Sequence, residues 1–124
     1  MLRRSFLSAT LVALAIPGLA SATSSLADIE AAIASGKPLL IHVTAPWCGT
    51  CQVQKPVVTD LLQKPEFSGL TKIDVDFDTQ RDVLKRFRVQ TQATMLVFKG
   101  GKEVDRQIGE TDPKIIADLF ERAM

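Results

Sequence analysis

Apolar and polar positions along the chain alternate between two periods, and the switches between them predict the order α-β-α-β-α-β-β-α. Leu26, Ile29, Ala32 and Ile33 recur at helical spacing. Ser24-Ser25 with Asp28 supplies an N-terminal cap, and Gly36 with Pro38 a stop. Leu39-Leu40-Ile41-His42-Val43 is a short, nearly continuous apolar run of the kind buried in a parallel sheet. From about Cys48 to Leu62 the helical period returns, with Val53, Val57, Val58, Leu61 and Leu62 as its stripe and Pro56 expected to kink it. Alternation over Leu70 to Asp76 gives a second strand with Ile73 and Val75 inward.

Asp78 or Thr79 is placed to cap a third helix ending at Phe87, with Val83, Leu84 and Phe87 on its apolar side. Thr94 to Phe98 reads as a third strand, Lys99-Gly100-Gly101-Lys102 as a hairpin turn and Glu103 to Ile108 as its antiparallel partner, ended by Gly109. Asp112 caps a last helix that has Pro113 in its first position and Ile115, Ile116, Leu119 and Phe120 packed down. Two βαβ crossovers and a hairpin predict an α/β fold, a mixed four-stranded sheet flanked by helices.

Residues 1–22 lie outside this pattern. Arg3 and Arg4 precede an apolar stretch from Phe6 to Ile16, Pro17-Gly18 breaks it, and Ala20-Ser21-Ala22 is an A-x-A cleavage site. The expectation is an export signal at 1–22 and one domain at 23–124. The apolar stretch is shorter than the roughly 20 residues of a membrane span. Arg3-Arg4-Ser5-Phe6-Leu7 is similar to the twin-arginine export motif, with Leu2 where Ser or Thr is usual, and the ordinary secretory route stays open. Both routes lead out of the bacterial cytoplasm, to a periplasmic or otherwise exported location.

Loss of the two arginines would turn a net charge of +1 into −1. A near-neutral domain without a basic stripe, with no Tyr and one Trp, argues against nucleic acid as a partner. Nothing in the pattern requires a cofactor or more than a monomer.

The only two cysteines, Cys48 and Cys51, stand three positions apart at the head of the second helix. Residues i and i+3 of a helix bring Cα atoms within the roughly 4.4–6.8 Å that a disulfide spans. The first sits where unpaired N–H groups favour a thiolate. A structural bridge is the alternative for an exported protein, but a loop this small gains least from closure. The pair also lies beyond the carboxyl end of the first strand, where open α/β sheets place their sites. His42 alone cannot complete a tetrahedral metal set with the two thiols, so no metal site is expected in one chain.

Ala45-Pro46-Trp47-Cys48-Gly49-Thr50-Cys51 resembles the A-x-W-C-G-x-C stretch of the thioredoxin family. Pro56 five residues later, Phe98-Lys99-Gly100-Gly101-Lys102 and Gly109 extend the resemblance over nearly all of residues 25–124. It implies a thioredoxin-like fold and thiol–disulfide exchange with protein substrates. Cys48 would be the nucleophile, Cys51 the resolving thiol, and Trp47 a shield and substrate surface.

Three positions depart from the family pattern. His42 stands where the family carries a buried aspartate, so a base or a neutral strand histidine is implied, and Lys72 matches the lysine beside that acid. Without the acid, Lys72 is free to point to solvent. Gln92-Ala93-Thr94 replaces the family's cis-proline loop, with a trans bond expected at Ala93 and a remodelled substrate edge. Gly49-Thr50 replaces Gly-Pro and carries no histidine, a lean toward a reductant fed by a membrane thiol electron donor. Two other readings are a metal- or cluster-binding module that shares four sulfurs in a dimer, and a subunit that delivers electrons to one larger enzyme.

Overall fold

Helix α1 (Leu26–Ala34) starts at a reciprocal cap. The Asp28 N–H donates to Ser25 Oγ and the Ser25 N–H to the Asp28 carboxylate, at 3.1 and 3.2 Å. The computed structural model describes residues 23–124, and the leader expected at 1–22 lies outside the described residues. After α1 come β1 (Leu39–Thr44), α2 (Gly49–Leu62), a 3-10 turn at Pro65–Phe67, β2 (Thr71–Asp76), α3 (Arg81–Phe87), β3 (Thr94–Lys99), β4 (Lys102–Ile108) and α4 (Pro113–Ala123). This is the predicted order with the 3-10 turn added.

The four strands form one mixed sheet in the order β2-β1-β3-β4. β1 runs parallel to β2 and antiparallel to β3, and β3 and β4 form the hairpin. Only the first of the two expected crossovers is therefore a parallel βαβ unit. The chain carries α3 back so that β3 enters the sheet reversed, on the far side of β1.

Alternation along β1 divides the core. Leu39, Ile41 and Val43 face α1 and α3 with Ile29, Ile33, Val75, Val83, Phe87, Leu96 and Phe98. Leu40 faces α2 and α4 with Val58, Leu61, Met95, Val97, Ile116, Leu119 and Phe120. His42 shares that second face and is buried.

Three local expectations need correction. Val53 and Ile115 are exposed, because the buried stripe of α2 runs Cys51, Gln54, Val58, Leu61 and that of α4 runs Ile116, Leu119, Phe120, Ala123. Gln80, and not Asp78 or Thr79, precedes α3. Its side chain accepts from the Asp76 N–H and donates to the Ser24 carbonyl, both at 2.8 Å.

Candidate active site

Cys48 occupies the cap of α2 with extended backbone, and its Sγ accepts the Cys51 N–H at 3.1 Å. A sulfur so placed faces a free helical N–H and the positive end of a 14-residue helix dipole. Negative charge on that atom is favoured for both reasons. Cys48 and Cys51 are disulfide-bonded with Cα atoms 5.3 Å apart, inside the span that a bridge requires.

The pair is covered more than a helix terminus alone suggests. Cys48 is 3% exposed and Cys51 not at all, and both pack with Ala45 and Ala93, with Phe77 against the cluster. Of the two sulfurs' residues, only Cys48 keeps any solvent contact. Gly49 and Thr50 lie between them on the exposed first turn.

Trp47 stands beside this opening, 61% exposed. Its indole N–H donates to both carboxylate oxygens of Asp78, at 3.1 and 2.9 Å, and its ring meets Phe77 edge-on at 6.3 Å. The Asp78 N–H in turn donates to Asp76 Oδ1 at 2.7 Å. The loop after β2 thus tethers the tryptophan beside the opening. Asp78 was expected as a helix cap, and its partner instead lies 31 residues upstream.

The loop before β3 comes to the cysteines through Ala93. The Gln92–Ala93 bond is trans, and Ala93 adopts φ 61°, a left-handed conformation that costs a non-glycine residue about 1–2 kcal/mol. Its N–H donates to the Val43 carbonyl at 2.8 Å, and its carbonyl accepts the Gly109 N–H at 2.9 Å. Thr94 Oγ donates to the Thr91 carbonyl at 2.8 Å, and Gln92 Oε1 accepts from Thr91 Oγ at 3.0 Å. Gln92, Ala93 and Thr94 are therefore built into the sheet end, with Ala93 alone packed on the sulfurs.

Beneath α2, His42 Nε2 and Gln54 Oε1 are 2.8 Å apart, both residues buried. The Gln54 amide N–H groups donate to the carbonyls of Ala93 at 3.2 Å and Glu110 at 2.9 Å. Burial holds the His42 pKa below the ordinary imidazole value against the Gln54 hydrogen bond and Asp74, which favour the cation. His42 also lines a cleft of about 410 Å³ with Thr44, Lys55, Thr59, Lys72 and Asp74. Lys72 does not simply point to solvent: its Nζ pairs with Asp74 Oδ2 at 3.2 Å at the edge of that cleft.

Gln54 is the site residue that the polar pattern hid. Its signal was geometric: it stands three residues after Cys51 and four before Val58, squarely on the buried stripe of α2. Among the described residues no group of three or more His, Cys, Asp or Glu side chains is arranged to hold a metal ion.

The Thioredoxin family model matches residues 21–121. A thioredoxin H-type from Fagopyrum esculentum is 34% identical over 82 residues, which is 66% of this chain and 69% of that one. A thioredoxin from Synechocystis is 29% identical over 106 residues, covering 82% of this chain and 97% of the relative. Among solved structures, Trxlp from Edwardsiella tarda EIB202 is 40% identical with a TM-score of 0.75, over 78% of this chain and 94% of that one.

Proposed function

The chain belongs to the thioredoxin family, and from that premise we propose that it works outside the bacterial cytoplasm, reducing protein disulfides through Cys48 and Cys51. Thiol–disulfide oxidoreductase activity follows from the family and the cysteine pair. The observation that carries the assignment of roles is the asymmetry of the pair: Cys48 caps the helix and keeps solvent contact, whereas Cys51 is sealed one turn behind.

In the reduced protein the Cys48 thiolate attacks one sulfur of a substrate disulfide. The substrate S–S bond breaks, a mixed disulfide forms, and the departing substrate thiolate takes up a proton. Cys51 then loses its proton and attacks Cys48 Sγ, which releases the second substrate thiol and closes the Cys48–Cys51 bridge. Two electrons pass to the substrate, and the protein ends in the oxidised state seen in the structure. His42, its pKa lowered by burial, is linked to the pair through Gln54, whose amide donates to the carbonyl of Ala93, the residue packed with the cysteines. Trp47, pinned by Asp78, offers a flat surface for a peptide beside the opening, with the Gln92–Thr94 loop as the other wall.

The reducing direction is supported by Gly49-Thr50, which places no cation between the cysteines to favour the dithiol form further. Electrons would then come from a membrane thiol carrier, since cytosolic reductant does not reach an exported protein. Insulin-disulfide reduction driven by dithiothreitol tests the activity. Wild type turns insulin over, Cys48→Ser falls to the uncatalysed rate, and Cys51→Ser accumulates mixed disulfides. Undiminished turnover by Cys48→Ser would refute the assignment. Equilibration against glutathione tests the direction, and a couple as oxidising as protein disulfide isomerase, about −180 mV, would reverse it.

A further inference from the structure

Gln54 has no slack in its hydrogen bonding. Both amide hydrogens are taken by carbonyl oxygens, of Ala93 and of Glu110. A flipped amide would aim its oxygen at two carbonyls, so the oxygen must be the atom facing His42. An amide oxygen only accepts. His42 Nε2 therefore carries a hydrogen in the neutral ring as well as in the cation.

We propose that Gln54 is a positioning residue that locks His42 into the Nε2–H tautomer, so that its proton exchange runs solely through Nδ1 and the α2–β2 cleft, and that ties this exchange to the loop packed with the cysteines and to the loop after β4. Among the described residues no buried side-chain polar atom lacks a partner, and Nδ1 makes no hydrogen bond to any of them. Nδ1 is thus the edge of the ring open to the cleft that His42 lines.

The charged groups around that edge are Lys55 on α2 and Lys72 and Asp74 on β2. α4 buries only apolar residues toward this face, and β3 places Met95 opposite His42. Protonation at Nδ1 leaves the Nε2–H···Oε1 bond in place but makes it charge-assisted, which strengthens it. The polarised amide then donates more strongly to Ala93 and Glu110. The loop packed on the sulfurs and the loop after β4 are in this way linked to one imidazole.

The proposal rests on the oxidoreductase reading only for the use made of the coupling, and its first test needs no turnover. The chain has a single histidine, so long-range ¹H–¹⁵N spectra of the imidazole report His42 alone. In the full-length domain at neutral pH, Nε2 is expected as the protonated nitrogen and Nδ1 as the bare one. A protonated Nδ1 in wild type would overturn the lock.

In Gln54→Leu the neutral ring is expected to populate both tautomers, and its titration to move to lower pH, because the lost hydrogen bond favoured the cation. The pH profile of insulin reduction should move the same way. An unchanged tautomer and an unmoved profile would make Gln54 a structural residue only. Should Gln54→Leu fail to fold, Gln54→Met serves for the same readings. Absent turnover in wild type with the tautomer as expected would sink the oxidoreductase reading and leave the lock standing.

Discussion

The two faces of the sheet are built to different ends. The face under α1 and α3 is apolar throughout its packed interior, from Ile29 and Ile33 through Ile41 and Leu96 to Phe98. The face under α2 and α4 has an equally apolar body but admits His42 and Gln54, two of the three buried polar residues among those described. The third, Thr94, sits at a strand end with its hydroxyl bonded to the Thr91 carbonyl. A buried amide or imidazole without partners costs about 1–3 kcal/mol per unsatisfied group, so such a pair persists only when its hydrogen bonds close. Here they do, and they close toward the cysteines. One face holds the fold, and the other spends part of its packing on chemistry.

Truncation on the apolar face should give the largest effect on stability. Ile41 lies at the centre of β1 between Ile73 and Leu96 and is 1% exposed. Ile41→Ala removes three carbons from a site with little room to collapse, and a loss of about 2–5 kcal/mol is expected in urea unfolding. Disulfide-exchange rate per folded molecule should stay at the wild-type level, because no atom of Ile41 belongs to the site. A fall in the folded-state rate would show that the two faces are not separable in this way.

Much of this division was legible along the chain. Helical periodicity, apolar runs and one alternating stretch located the four α-helices and four strands, and the Ser25/Asp28 and Asp112/Pro113 caps stand where expected. The C-x-x-C spacing at a helix start was enough to place the bridge. What stayed hidden depended on partners distant in sequence. Gln54 reads as a solvent residue until His42, Ala93 and Glu110 surround it, and apolar Val53 beside it fits the stripe by side-chain type although its position on the helix faces water. Asp78 reads as a cap until the Trp47 indole claims its carboxylate. The reversal of β3 was likewise invisible, since its apolar run is the same in either direction.

The polar face should reveal itself by pH before it does so by truncation. Burial lowers the His42 pKa in the folded state, so the unfolded chain binds the proton more readily. Stability from this group is complete above the unfolded value of about 6.5 and is lost as pH falls from there through the folded value. The slope is at most that of one proton, about 1.4 kcal/mol per pH unit. In urea unfolding across that interval, wild type should lose stability on acidification relative to His42→Leu. Parallel curves would mean that His42 charges in the fold at no cost, which its burial forbids.

The smallest effects, and the sharpest in sign, belong to the cleft edge. Lys72 and Asp74 form an ion pair that is half open to water, and such pairs contribute about 0–1 kcal/mol to stability. Neither Lys72→Met nor Asp74→Asn should therefore change the unfolding midpoint by much. Their effects on His42 oppose one another. The Lys72 ammonium disfavours the imidazolium and the Asp74 carboxylate favours it. Lys72→Met should raise the His42 titration midpoint and Asp74→Asn should lower it, both read from the one imidazole in the chain. Added salt should shrink both displacements, since Lys72 and Asp74 are partly exposed to solvent. Displacements of the same sign would mean that the cleft reshapes around either substitution, and that the field at Nδ1 is set by the packing of α2 and not by the charges on β2.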